Sequence, residues 1–400
     1  MSLYYQVIGI KTLKIWGLKP EQRIARVLTR LLDDKTTVQS LTVAPQPLPS
    51  NARLFLVRAD YLLDERVIDG LIKSSEDLIL EAEGVPVAAW VNGNLGAAAT
   101  ALLTGQAKEP LTIRRVNPDE VARAISRKLR KVSPPYAIHV TPDNARNVEH
   151  HLFNESYKGV TDLVTKWVWP KPAEWVVRFC AQHGIRPNHV TTLSWVLAVA
   201  AGFLFFYGHF VLGLIFGWLM TFLDTVDGKL ARVTVDASRF GHFFDHILDL
   251  FHPPFWYLAW GLGLASYQPL LLKFPVLDTF WLLLAGYIGG RIAEGVFKEW
   301  VAGFSIFTWQ VMDSLNRLIT ARRNPCLILL TLSLIIGRPD LGFEAVTLWT
   351  VVSTAFLWWR LLLAVYRKYH GESLRSWLDD TDPQSAQGWQ RWFVSIPEDI

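Results

Sequence analysis

The rhythm of apolar positions changes near residue 189. Before it, short apolar runs alternate with charged residues. Beyond it, the runs approach the length that crosses a hydrocarbon layer. In the first part, "ARLFLVRADYLL" (52–63) reads as a buried strand with its turn. "EQRIARVLTRLL" (21–32) and "DEVARAISRKLRKV" (119–132) have helical spacing with charged outer faces. Strands alternating with helices predict an α/β sandwich over residues 1–165. Residues 166–188 read as a linker with an interfacial helix, "KPAEWVVRFCAQHGI", in which Trp175, Val177 and Phe179 alternate with Lys171, Glu174 and Arg178. A plain linker helix is the competing reading.

Six spans follow by hydropathy, over 189–207, 209–233, 239–264, 277–297, 324–338 and 342–366, with a tail over 367–400. The predicted fold class is therefore an α-helical polytopic membrane domain of six transmembrane helices, preceded by a soluble α/β domain. Cations gather on one side of the spans, at Arg232, Arg239, Lys298, Arg317, Arg322, Arg323, Arg367 and Lys368. The positive-inside rule then places both termini, and the acidic turn between the second and third spans, on the cytosolic face of the inner (cytoplasmic) membrane. The N-terminus lacks the pattern of a signal peptide.

Composition adds exclusions. The net charge of +4, without a concentrated basic tract, argues against nucleic acid as a partner. Two cysteines, Cys180 and Cys326, are too few for a disulfide framework and suit a reducing compartment.

The chemistry concentrates in "DTVDGKLARVTVDASRFGHFFDHILD", Asp224 to Asp249. Asp224 and Asp227 lie three apart on the second span; Asp245 and Asp249 lie four apart on the third. Two spans joined by a short link run antiparallel, so the four carboxylates can converge where Gly228, Ala231 and Gly241 leave room. Such a cluster at a membrane edge is protonated, paired with arginine, or bound to a metal. Hard oxygen donors point to magnesium or manganese, or to calcium, and their number suits two ions, as in phosphoryl transfer. A conduction or proton path, and plain helix-end charge, are the alternatives.

Asp-x2-Asp-Gly-x2-Ala-Arg-x8-Gly-x3-Asp-x3-Asp resembles the signature of the CDP-alcohol phosphotransferase family at every fixed place, and "GIRPNHVTTLS" (184–194) is similar to the entry of that family's first span. The resemblance covers roughly residues 170–366. It implies an enzyme that transfers a phospho-alcohol from a CDP-alcohol donor to the hydroxyl of a second alcohol and releases CMP. Two Mg2+ or Mn2+ ions would be held by Asp224, Asp227, Asp245 and Asp249, with Asp249 also the base. Gly228, Ala231, Arg232 and Gly241 would bind the nucleotide. The implied partners are a CDP-alcohol donor, an alcohol acceptor, membrane lipid and a second copy in a homodimer. CDP-diacylglycerol is the expected donor; a polar CDP-alcohol such as CDP-inositol with a phosphorylated polyol acceptor is the alternative. An ion or proton transporter is the reading from another class.

Arg239, Arg291, Arg322 and Arg323 are the candidates for holding the acceptor; positive-inside anchoring explains Arg322 and Arg323 equally well. His246 and His252 flank the last carboxylates and read as hydrogen-bonded or interfacial rather than as ligands. The first domain resembles sugar nucleotidyltransferases through "ARLFLVRADYLLDERVIDGLI" (52–72), with Asp60 at the position of the metal-binding aspartate. The segment "DNARNVEHHLFNESYKGVTDLVTKW" (143–167) is similar to the joining tail of fused inositol-phosphate enzymes. The N-terminal segment has no G-x-G-x-R loop to cradle a triphosphate, so a degenerate domain is expected.

Overall fold

Alternating strand faces and two sets of helices build the first half of the chain. The computed structural model describes residues 2–9, 12–32, 37–41, 48, 52–107, 111–236, 252–382 and 385–394. Strands β1 (Ser2–Ile8), β2 (Thr37–Ser40), β3 (Arg53–Arg58), β5 (Leu78–Ala82), β6 (Val85–Asn92) and β7 (Arg114–Val116) form one mixed sheet in the order β2-β1-β3-β6-β5-β7. β1 runs parallel to β2 and β3, whereas β6 is antiparallel to both β3 and β5. Phe55, Val57, Leu78, Leu80 and Trp90 face helices α1 (Pro20–Leu31) and α2 (Glu65–Ile72). Leu54, Leu56, Ile79, Ala89 and Val91 face α3 (Gly96–Leu103). Both faces are covered, which is why these strands read as continuous apolar runs. A short antiparallel pair, β4 (Tyr61–Leu63) with β10 (Ala137–His139), extends the domain beyond β3.

Residues 119–132 differ from the expected helix. Only α4 (Pro118–Val121) is helical, capped by the Asn117 side chain on the Glu120 amide, and β8 (Ile125–Ser126) and β9 (Lys131–Val132) then form a hairpin. Tertiary pairing overrides the local periodicity. Lys131 is buried against Glu155 at 2.9 Å, and Val132 pairs with Val394 near the C-terminus. The tail therefore docks on the α/β domain, with Leu378, Ala386 and Val394 packed on Val132.

α5 (Ala145–Glu155) and α6 (Pro170–Gln182) carry the chain to the apolar helices. Trp175 (84% exposed) and Phe179 lie on the open face of α6 while Ala173, Val177 and Cys180 are buried, the division expected of a helix lying at an interface. Then come α7 (Pro187–Phe206), α8 (Phe210–Val233), α9 (residues 252–262), α10 (Val276–Val296), α11 (Val311–Ile319), α12 (Arg323–Ile335) and α13 (Pro339–Tyr369). Among the described residues, α7, α8, α13 and the helical stretch Val276–Ala302 are each long and apolar enough to cross a membrane. α11 and α12, bent by 44°, qualify as a fifth only together. Six spans were expected. The third of these, over 239–264, falls partly on residues outside those described, and the fifth turns out to be a broken helix pair whose first half the hydropathy pattern missed.

The α/β domain and the helices share a core. Ile15 and Trp16, from the loop after β1, pack with Val148, Phe153, Val177, Val190, Val226 and Leu230. Trp16 donates its indole N–H to the Glu149 carbonyl at 2.9 Å, and Gly17 lies so close to α6 that a Cβ there would sit 3.0 Å from the Ala181 carbonyl oxygen. The end of α8 is held more directly. Arg23 Nη2 donates to the Val233 carbonyl at 2.7 Å and Arg26 Nη1 to that of Thr234 at 2.7 Å, satisfying carbonyls that a helix C-terminus leaves open. Val235 follows at φ +50, a left-handed conformation costly for a β-branched residue, and its side chain enters the α/β core. Replacing Arg23 by Met removes a buried charge-assisted bond to α8. We expect about 2–3 kcal/mol of destabilisation, read as a lowered thermal midpoint of the purified protein; an unchanged midpoint would show that the contact holds nothing.

Candidate active site

The anchored end of α8 carries the first half of the acidic motif. Asp227 is 5% exposed, and its Oδ2 accepts from the Thr191 hydroxyl of α7 at 2.6 Å. Asp224, one turn earlier, accepts from Arg323 Nη2 at 2.6 Å. Arg323 opens α12, so three helices meet at these two carboxylates. The hydroxyl and the guanidinium hold the two carboxylates in fixed rotamers.

Gly228 leaves the space that Arg232 occupies. A Cβ at Gly228 would lie 3.1 Å from Arg232 Nη2, so the guanidinium folds back along the helix over the glycine. Ala231 adds only a methyl group beside it. Lys229, on another face, is 3% exposed; its Nζ lies 3.5 Å from the centre of the Tyr157 ring and donates to the Ser156 carbonyl at 3.3 Å. It ties the helix to the strap that follows α5. Thr191 and Lys229 both act here without having been singled out beforehand. Thr191 lay within the span-entry motif, and that was the available signal; Lys229 occupies a variable place of the acidic motif and offered none.

Asp245, Asp249, Gly241 and Arg239, like His246, lie outside the described residues. Among the described residues no three His, Cys, Asp or Glu side chains converge on a metal position. The pair that is described does fit one. Two carboxylates a turn apart, steered by a hydroxyl and a guanidinium, are the hard oxygen donors that magnesium and manganese take. His252 is buried and packs on Trp256 at 4.9 Å between ring centres.

The arginines proposed for an acceptor divide. Arg323 joins Asp224. Arg322 and Arg291 both meet Glu294 on α10, Arg291 at 3.6 Å. In the α/β domain Asp60 is engaged by Arg58 at 2.6 and 3.0 Å and by His139 at 3.3 Å. Burial raises its pKa, but the Arg58 bonds outweigh that and hold the carboxyl below its usual range. Trp16, in the loop after β1, is buried among Val148, Phe153 and Val177.

Comparison with known proteins covers the part of the chain that contains these residues. Residues 185–366 match the family model described as CDP-alcohol phosphatidyltransferase. The chain is 34% identical over 118 residues to the archaetidylinositol phosphate synthase of Pyrococcus horikoshii, covering 30% of this chain and 58% of the relative. It is 42% identical over 73 residues to the phosphatidylinositol phosphate synthase of Streptomyces avermitilis, covering 18% of this chain and 30% of the relative. It thus spans less than two thirds of either relative.

Proposed function

Because residues 185–366 belong to the CDP-alcohol phosphatidyltransferase family, we propose that this membrane protein transfers a phospho-alcohol from a CDP-alcohol to an acceptor hydroxyl and releases CMP. The observation that carries this reading is the union of Asp224, Asp227, Gly228, Ala231 and Arg232 on one helix, with Thr191 and Arg323 holding the two carboxylates. Both relatives are named as synthases of an inositol phosphate lipid, which favours a lipid CDP-alcohol such as CDP-diacylglycerol as donor and an inositol phosphate as acceptor.

In this reading the acceptor oxygen attacks the phosphorus next to the lipid alcohol. The bond from that phosphorus to the bridging oxygen breaks, CMP leaves, and the acceptor proton passes to Asp249. Asp224, Asp227, Asp245 and Asp249 would hold two magnesium or manganese ions, which when bound neutralise charge on the transferred phosphate. Thr191 keeps Asp227 oriented, and Arg323 keeps Asp224 in place before substrate arrives. Gly228, Ala231 and Gly241 would leave the nucleotide room against the backbone, and Arg232 would meet its phosphates. The site faces the cytosol if the cation distribution sets orientation. The α/β domain, with Asp60 paired to Arg58 and no G-x-G-x-R pattern in its N-terminal segment, serves as a scaffold for α8.

The test is CMP release by the purified full-length protein with magnesium, using CDP-diacylglycerol or CDP-inositol against a panel of polyols and their phosphates. CMP formation that requires both CDP-diacylglycerol and inositol 1-phosphate is expected. No CMP from any donor would favour transport over catalysis, and CMP from CDP-inositol alone would exchange the donor for a polar one.

A further inference from the structure

Between the anchored end of α8 and the α/β domain lies a cavity of about 380 Å3, large enough for a small ligand. Arg232 and Val233 of α8 line one part of it, and Ser126, Lys128 and Leu129 of the β8–β9 turn line another. Arg232 is the arginine of the acidic motif, and its guanidinium folds back over Gly228, the neighbour of Asp227. One space is thus shared by the motif's own cation and a lysine from the α/β domain.

The carboxylates on the described lining are all engaged. Asp64 meets Arg66 at 2.5 Å, Glu155 meets Lys131 at 2.9 Å, Asp69 meets Lys73 at 2.7 Å, and Glu65 meets Arg30. Arg23, also on the lining, donates to the main-chain carbonyls of Ile15 and Val233. Lys128 has no ion-pair partner among the described residues, so positive charge is left over beside Arg232. Although exposed to solvent on one side, Lys128 is partly desolvated. That burial, and then the Arg30 and Arg232 charges, push its pKa below the ordinary lysine value. An anion placed between these cations relieves both effects. The turn that carries Lys128 is held in place. The Leu129 amide donates to Ser126 Oγ at 3.3 Å, and the Gly159 amide donates to the Leu129 carbonyl at 2.9 Å.

We infer that this cavity takes the phosphate of the nucleotide between Arg232 of α8 and Lys128 of the α/β domain. The inference rests on the phosphotransfer reading and adds a donor-binding residue that lies outside the matched residues 185–366. Lysine meets a phosphate as a point charge beside the fork of a guanidinium, and an uncharged nucleoside offers neither cation a partner. Arg127, the preceding residue of the turn, is not on this lining; it faces a different cavity and meets Asp379 at 3.8 Å. It therefore serves as the control for loss of a nearby positive charge.

The experiment uses the full-length protein in detergent with magnesium, and CMP and cytidine as probes. In the wild type, CMP raises the thermal midpoint and cytidine does not. Lys128→Ala melts at the wild-type temperature without nucleotide but binds CMP about fivefold more weakly, the scale of one solvent-facing charge contact. It also raises the KM for CDP-diacylglycerol while the KM for inositol 1-phosphate stays near wild type. Lys128→Arg recovers most of the loss, and Arg127→Ala binds CMP as the wild type does. Equal CMP affinity in the wild type and Lys128→Ala overturns the inference. So does an equal loss in Arg127→Ala, or a wild type that CMP does not stabilise. CMP binding that depends on Lys128 in a protein that never releases CMP from any donor keeps the site and sinks the phosphotransfer reading instead.

Discussion

Asp227→Asn and Asp224→Asn each slow CMP release by about a thousandfold or more. Either change keeps the side-chain shape and removes one negative charge from the pair that sits where α7, α8 and α12 meet. An Asn at 227 still accepts from Thr191, so its placement survives and the loss reports charge alone. About 4 kcal/mol of transition-state stabilisation is the usual scale for removing one group aimed at developing phosphate charge. The two variants differ in stability. Asp224→Asn removes the Asp224 charge that the partly buried Arg323 meets and costs about 1–2 kcal/mol, whereas Asp227→Asn unfolds near the wild-type temperature. Rates within tenfold of wild type in both would remove these carboxylates from the reaction.

Gly159→Ala is expected to be strongly destabilising although it lies outside the acidic motif. A Cβ at this position would lie 2.6 Å from the Arg130 carbonyl oxygen, 2.6 Å from the Lys131 Cβ and 2.7 Å from the Phe393 carbonyl oxygen. Two of these neighbours are backbone, so no flexible side chain can yield. Strap, hairpin and tail meet here, and separating them costs about 3 kcal/mol. The loss is measured as a lowered thermal midpoint with increased proteolysis near the C-terminus. An alanine protein as stable as wild type would mean that the three segments are not packed as described.

The legible parts of the molecule were those encoded locally. The strand over 53–58, the helix over 20–31 and the second span lie within a few residues of their expected places, because each carries its own periodicity or apolar run. The hairpin over 125–132 was misread as helix, since its spacing is helical and only contact with Glu155 and Val394 makes it a hairpin. α11 escaped notice because its polar residues interrupt the hydropathy signal, yet Asp313 is buried there against Arg360 at 2.6 Å. In the site, Asp224 and Asp227 were evident from spacing. That Arg323 meets Asp224 rather than standing apart for an acceptor depends on the bend between α11 and α12, which no local pattern encodes.

The α/β domain and the helix that carries Asp224 and Asp227 are joined by specific contacts. Arg23 and Arg26 fix the end of α8, and Val235 plugs into the α/β core.

The bond that breaks can be followed with CDP-diacylglycerol labelled at the phosphorus next to the glycerol. Incubated with inositol 1-phosphate, magnesium and the purified protein, it should deliver all converted label to a new lipid product, with unlabelled CMP formed in equal amount. Label that remains with the nucleotide, or product that forms without the acceptor, would contradict the proposed reaction.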